Sequence, residues 1–253
     1  MLYIIGTGLN NCEDISLRTI KILKDADLIY QECYTCIQLA DFKEIEELIQ
    51  KKIILADRKL VEETNIIVDE AKSKKVVFLV AGTPFFATTH TDLFLRAKER
   101  DVETIVVHNV SILNVKGCYG LYSYNFGKTV SIPYFTEKVK PISFYDNIYN
   151  NYVNNLHTLC LLDIKTDENR FMTANEAIEH ILYCEEQSNK GFFTKQTKLF
   201  AICRFATSEE FVCYDTAENL HKMNFGRPLH SLIIPAKLSF IEEEHVELIF
   251  KNK

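Results

Sequence analysis

Val76-Val77-Phe78-Leu79-Val80-Ala81-Gly82-Thr83-Pro84 sets the fold class. Five apolar residues, three of them β-branched, stop abruptly at a glycine and a proline. This pattern suits a strand buried on both faces that ends in a tight turn. Such strands belong to parallel sheets covered by helices on either side. The turn continues as Phe85-Phe86-Ala87-Thr88-Thr89-His90, at the carboxyl end where open α/β sheets bind ligands. Glycine and proline fix its path, and the hydroxyls are compact hydrogen-bond partners.

Upstream, Leu2 to Ile5 is a second short strand, closed by Gly6 and Gly8. Asp14 or Ser16 is expected to cap a helix carrying Leu17, Ile20 and Leu23. Leu28-Ile29-Tyr30 is the next strand, and Phe42 to Gln50 is amphipathic ahead of Ile53-Ile54-Leu55. A helix is expected from Val61 to Ala71, another from His90 to Arg100, and a strand from Thr104 to His108. Strands alternating with helices predict a largely parallel sheet. After Asn109-Val110-Ser111 the pattern changes. Thr158 to Ile164, Leu199 to Phe205 and Leu229 to Ile234 are strand candidates. Thr173 to Glu176 and Ser239 to Glu242 are capping boxes, each opening a helix. The expected organisation is two α/β domains, 1–112 and 113–253, with a cleft between them.

A chain of 253 residues with 47% hydrophobic content has enough apolar surface for a packed core, so disorder is excluded. The formal charge of -6 argues against a broad grip on nucleic acid. No apolar run approaches the roughly 18 residues that span a bilayer. No charged leader precedes Leu2, so a cytoplasmic chain with reduced thiols is expected. Cys33 and Cys36 have C-x-x-C spacing, but no second such pair exists to complete a zinc site. No metal is expected.

Gly6-Thr7-Gly8-Leu9-Asn10-Asn11 approaches the dinucleotide fingerprint but has Asn11 where the third glycine belongs, which disfavours a nucleotide-binding oxidoreductase. Glu32 stands where such folds hold a ribose. His108-Asn109-Val110-Ser111-Ile112, Leu162-Asp163 and Pro228-Leu229-His230-Ser231 also lie at strand ends. G-x-S-x-G, H-E-x-x-H and Walker motifs are absent.

Taken in order along nearly the whole chain, these segments resemble the diphthine synthase family, of tetrapyrrole-methylase fold. The resemblance rests on Met1 to Leu9, Tyr34-Thr35, Ala56-Asp57-Arg58, Pro84-Phe85, Ala87 to Leu93 and His108 to Ile112. It continues through Phe126 to Ile132, His157 to Lys165, Met172 to Ala177 and Pro228 to Ile233. It implies a homodimer whose two α/β domains fold S-adenosylmethionine between them. The implied reaction methylates the 3-amino-3-carboxypropyl-histidine of translation elongation factor 2, giving diphthine methyl ester in the diphthamide pathway. Carried over by position, the cofactor-binding places are Leu9, Thr83, Phe86, Ser111, Ile112, Leu162, Phe205 and His230. The family has aspartate and glycine where this chain has Thr83 and Phe86, and a glycine where it has Asn10. The resemblance marks no catalytic residue. A small-molecule methylase of the same fold, or a non-catalytic relative that only binds the elongation factor, are the competing readings.

Overall fold

The computed structural model describes residues 1–35 and 42–251. Cys36, and with it the C-x-x-C pair, lies outside the described residues; Cys33 carries an exposed free thiol. Two compact units emerge. One comprises Met1–Leu113 with Lys165–Glu168 and Ala206–Ser208; the other comprises Asn114–Ile164, Asn169–Phe205 and Glu209–Lys253.

The first unit has five strands, β1 (Leu2–Gly6), β2 (Leu28–Glu32), β3 (Ile54–Ala56), β4 (Val76–Val80) and β5 (Thr104–Val107). They pair in the order β3-β2-β4-β1-β5, all parallel. All five residues of β4 are buried, because alternate side chains enter opposite cores. Val76, Phe78 and Val80 join Leu2 and Ile4 beneath α3 (Ile66–Glu70) and α4 (Thr91–Glu99). Val77 and Leu79 join Ile5 and Ile29 beneath α1 (Leu17–Asp25) and α2 (Phe42–Ile49).

Ser16 caps α1 by accepting from Thr19 N. The helix expected from Val61 to Ala71 is broken. Lys59–Glu63 forms a π turn and α3 begins only at Ile66. The break is held from outside, since the Arg96 guanidinium on α4 donates to the carbonyls of Val61 and Thr64.

In the second unit the sheet order is β11-β10-β12-β7-β6, from β6 (Val130–Ile132), β7 (Thr158–Leu162), β10 (Lys198–Cys203), β11 (Phe211–Thr216) and β12 (His230–Ile234). Only β6 and β7 are parallel within it. β8 (Ile164–Lys165) and β9 (Arg170–Phe171) form a separate two-stranded ribbon, so the strand expected to run to Ile164 stops at Leu162. Helices α5 (Ser143–Val153), α6 (Ala174–Ser188) and α7 (Ala217–Lys222) supply Tyr145, Ile148, Ile178, Ile181 and Leu220 to one core. On the other face, Phe250 of α8 (Phe240–Phe250) meets Phe200 edge to face. Both predicted capping boxes form, at Thr173 with Glu176 and at Ser239 with Glu242. Among the described residues no helix is long and apolar enough to cross a membrane.

Candidate functional site

Three loops of the first unit converge at the carboxyl ends of β1, β4 and β5. Gly8 and Gly82 form an antiparallel bridge, with Gly8 N donating to Gly82 O at 3.2 Å and Gly82 N to Gly8 O at 2.8 Å. Both glycines hold positive φ, +80° and +73°. At Gly8 a Cβ would collide with the Asp14 carboxylate. At Gly82 the space beside the bare backbone is flanked by Ser111 Cβ at 3.5 Å and Leu9 Cδ2 at 3.6 Å. Glycine is therefore required for conformation at both positions, and at Gly8 for room as well.

The loops are stapled by side chains. Asp14 Oδ2 accepts from Leu9 N at 2.9 Å and Asn10 N at 2.8 Å. Asp14 thus serves the glycine loop, leaving the cap of α1 to Ser16. Asn109 Nδ2 donates to Gly6 O at 3.1 Å and Asp14 O at 2.9 Å, locking the third loop to the first. Thr83 Oγ1 lies 3.1 Å from His108 Nδ1 and accepts from Asn109 N at 3.3 Å. Phe86 sits between Phe85 and Ala87, whose φ values are +69° and +54°. That is strained backbone for non-glycine residues. Leu9, Thr83 and Ser111 are thereby gathered around Gly82, with Phe86 further along the same turn. Ile112 begins the 3-10 turn Ile112–Val115. Apolar walls, two hydroxyls and a bare glycine backbone suit a flat, hydroxyl-bearing nucleoside.

The second unit gathers the other three predicted residues. The register pairs Ser231 with Leu161 and Cys203 with His230. Leu162, Phe205 and His230 therefore lie at one end of that sheet. The His230 ring is already committed: Nδ1 accepts from Ala174 N at 3.3 Å, and Nε2 faces Arg227 O at 3.1 Å. Burial lowers its pKa from the ordinary value. Its ring edges are thus occupied by backbone, and the Phe225 ring packs against it at 5.8 Å.

Glu32 is not placed as a ribose ligand. It is almost fully buried, and its carboxylate accepts from Tyr34 N, Thr35 N and Thr35 Oγ1. Burial pushes its pKa up, partly countered by these bonds. Next to it stand groups in the quoted segments to which the sequence assigns no role. The Tyr34 hydroxyl, both ring nitrogens of His90 and Thr88 Oγ1 are buried without hydrogen-bond partners. Burial drops the His90 pKa to about 4 and raises that of Tyr34 to about 12. The only sequence signal was their position after β2 and β4, since lone histidines and tyrosines are common core residues.

The family described as tetrapyrrole (corrin/porphyrin) methylases matches residues 1–217. A diphthine methyl ester synthase of Dictyostelium discoideum is 40% identical over 265 residues, covering 98% of this chain and 97% of the relative. A diphthine synthase of Methanococcus maripaludis is 40% identical over 254 residues, covering both chains fully. A crystal structure from Entamoeba histolytica aligns with a TM-score of 0.91 at 39% identity, over 98% of this chain and 97% of its own. The matched stretches cover the residues that form the loops above. The chain belongs to the tetrapyrrole methylases and, within them, to the diphthine synthases.

Proposed function

We propose that this chain methylates the 3-amino-3-carboxypropyl-histidine of translation elongation factor 2, using S-adenosylmethionine and giving diphthine methyl ester. The observation that carries the reading is the gathering of Leu9, Thr83 and Ser111 around Gly82, in a chain aligned end to end with diphthine synthases.

The residues fit that cofactor. Beside Gly82, Leu9 and Ile112 are proposed to give it apolar contact, and Thr83 and Ser111 polar contact. Leu162, Phe205 and His230, in the other unit, are the remaining residues proposed to bind the cofactor. Bound S-adenosylmethionine supplies the methyl already activated as a sulfonium, so the protein's task is alignment and exclusion of water. Thr83 stands where relatives carry aspartate, and its hydroxyl is held by His108 and Asn109. Phe86 adds a ring where relatives have glycine. Contacts from the backbone of the turn need neither side chain, whereas contacts from an aspartate carboxylate are lost with it. We further take 1–112 and 113–253 as the domains of a cytoplasmic homodimer.

Titration calorimetry with S-adenosylmethionine and with its demethylated product tests cofactor binding. Mass spectrometry of an elongation factor carrying the histidine adduct tests the reaction. Micromolar binding together with stepwise gains of one methyl mass is expected. Binding of neither ligand eliminates the enzyme reading.

A further inference from the structure

Glu62 is a carboxylate tied to two residues that stand beside a set of unused donors. Its Oε1 accepts from Thr89 Oγ1 at 2.6 Å, and its Oε2 lies 3.6 Å from Arg58 Nη1. The Arg58 guanidinium carbon is 5.0 Å from the centroid of the Tyr34 ring, and that ring meets His90 edge-on at 5.9 Å. Tyr34 and His90 are 2% and 1% exposed, yet the hydroxyl and both ring nitrogens lack partners. Thr89 stands beside the Tyr34 hydroxyl without making a well-formed bond to it. Burying unpaired polar groups costs free energy, and native structures retain few of them. Tyr34, Thr88 and a neutral His90 together hold three unused hydrogens. A carboxylate, which only accepts, is their natural complement, and Arg58 adds the opposite charge.

We propose that Arg58, Tyr34, His90 and Thr88 form the pocket for the acceptor's carboxylate, and that Glu62 occupies its rim as an internal stand-in until the acceptor arrives. The inference rests on the methyltransferase reading and names where the acceptor is held. The Arg58–Glu62 contact is longer than a hydrogen bond and partly solvated, so it is weak and readily exchanged. Placement supports the role. Tyr34 follows β2, Arg58 follows β3 and Thr88 follows β4, neighbouring strands about 4.8 Å apart at the same sheet end as Gly82. One turn, Gly82 to His90, touches the donor loops at its start and this pocket at its finish.

The acceptor carries an amine and a carboxylate on one carbon. Holding the carboxylate aims the amine at the donor methyl. The amine's lone pair takes the methyl while the carbon–sulfur electron pair passes to sulfur, and the new ammonium sheds its proton before the next round. Once the nitrogen has no lone pair left, release from the pocket frees a carboxylate oxygen for the last methyl, with no proton lost.

Acceptor binding is measured by calorimetry without cofactor, using elongation factor bearing the adduct. Products are then read by mass spectrometry with S-adenosylmethionine added. Arg58→Gln should weaken acceptor binding at least tenfold, and Glu62→Gln should tighten it about threefold. Tyr34→Phe should weaken it without lowering the melting temperature, because the lost hydroxyl has no partner in the free protein. Cofactor affinity should hold in all three, and Arg58→Gln and Tyr34→Phe should yield ester before the amine is fully methylated. Arg58→Gln and Glu62→Gln shifting acceptor binding in the same direction would overturn the proposal, as would an unchanged Tyr34→Phe. A wild-type protein that binds acceptor but no cofactor would defeat the methyltransferase reading instead, leaving the opposed shifts to decide this one.

Discussion

His157 Nε2 donates to Glu242 Oε1 across 3.0 Å, joining the start of β7 to the first turn of α8, while Nδ1 accepts from Ala236 N at 3.0 Å. Both side chains are essentially inaccessible to solvent. The carboxylate also accepts from Tyr122 N, Asn125 Nδ2, Ser239 N and Ser239 Oγ. His157 is therefore a structural tie in this chain. A buried carboxylate with this many donors is one of the costly groups to disturb.

That tie predicts an acid-dependent stability. Burial pushes the Glu242 pKa up, but the bonds from Tyr122, Ser239 and His157 outweigh it and hold the group at about 2. With the folded value below the ordinary 4.5, the stabilisation is complete above about pH 4.5 and is lost as pH falls through about 2. At roughly 1.4 kcal/mol per unit this is worth about 3 kcal/mol. Urea unfolding of Glu242→Gln should show a loss of that order at pH 7, and the gap from the parent should shrink towards pH 2.

His90 acts in a different window. Burial holds its folded pKa at about 4, so the ring stays uncharged while the unfolded chain protonates near 6.5. Its contribution is constant above about pH 6.5 and declines as pH falls towards 4, by about 3 kcal/mol in all. His90→Leu should flatten the stability profile between pH 7 and pH 4. An unchanged profile in that variant would assign the slope to other groups.

Thr83 tests the cofactor turn in two directions. Thr83→Val removes the partner of His108 and Asn109 N, and about 1 kcal/mol for each of the two bonds sets a ceiling of about thirtyfold on the loss of grip on S-adenosylmethionine. Thr83→Asp introduces the carboxylate that the resemblance implies at this position and should tighten binding. Calorimetry on the two variants reads both effects.

Gly8→Ala should damage fold and site together. The methyl would strike the Asp14 carboxylate at a backbone φ of +80°. A cost of about 1–3 kcal/mol is expected, lowering the melting temperature by about 2–4 °C for each kcal/mol in a chain this size. Displacing Asp14 also frees Leu9 N and Asn10 N, so cofactor binding should fall beyond the stability loss.

Much of the first unit was legible because its signals are local. The run Val76 to Val80 ends where hydrophobic patterning and a glycine say it ends, and β1 and β5 follow the same logic. Ser16, Thr173 and Ser239 each cap a helix through bonds to residues three positions on, a relation contained in the sequence. The loops after β1, β4 and β5 share one end of the sheet because its strands run parallel. By contrast, β6, β11, α5 and α7 carry weak local patterns. Helix α5 is rich in asparagine and tyrosine, poor helix formers, and is held by the burial of Tyr145 and Ile148.

What the sequence determined by itself was the parallel α/β half, the helix caps and the three glycine- and hydroxyl-bearing loops, all products of periodicity and near-neighbour bonding. Only the tertiary structure decided that Asp14 serves the glycine loop, that Arg96 splits the helix expected from Val61 to Ala71, and that Glu62 faces Arg58 beside an unpaired Tyr34 and His90. Each of these depends on which polar group is the nearest available partner after burial. For Arg96 with the Val61 and Thr64 carbonyls, and for Tyr34 beside His90, packing between elements distant in the chain settles it. Asp14 and the Arg58–Glu62 pair meet within five residues, in loops whose path the fold sets.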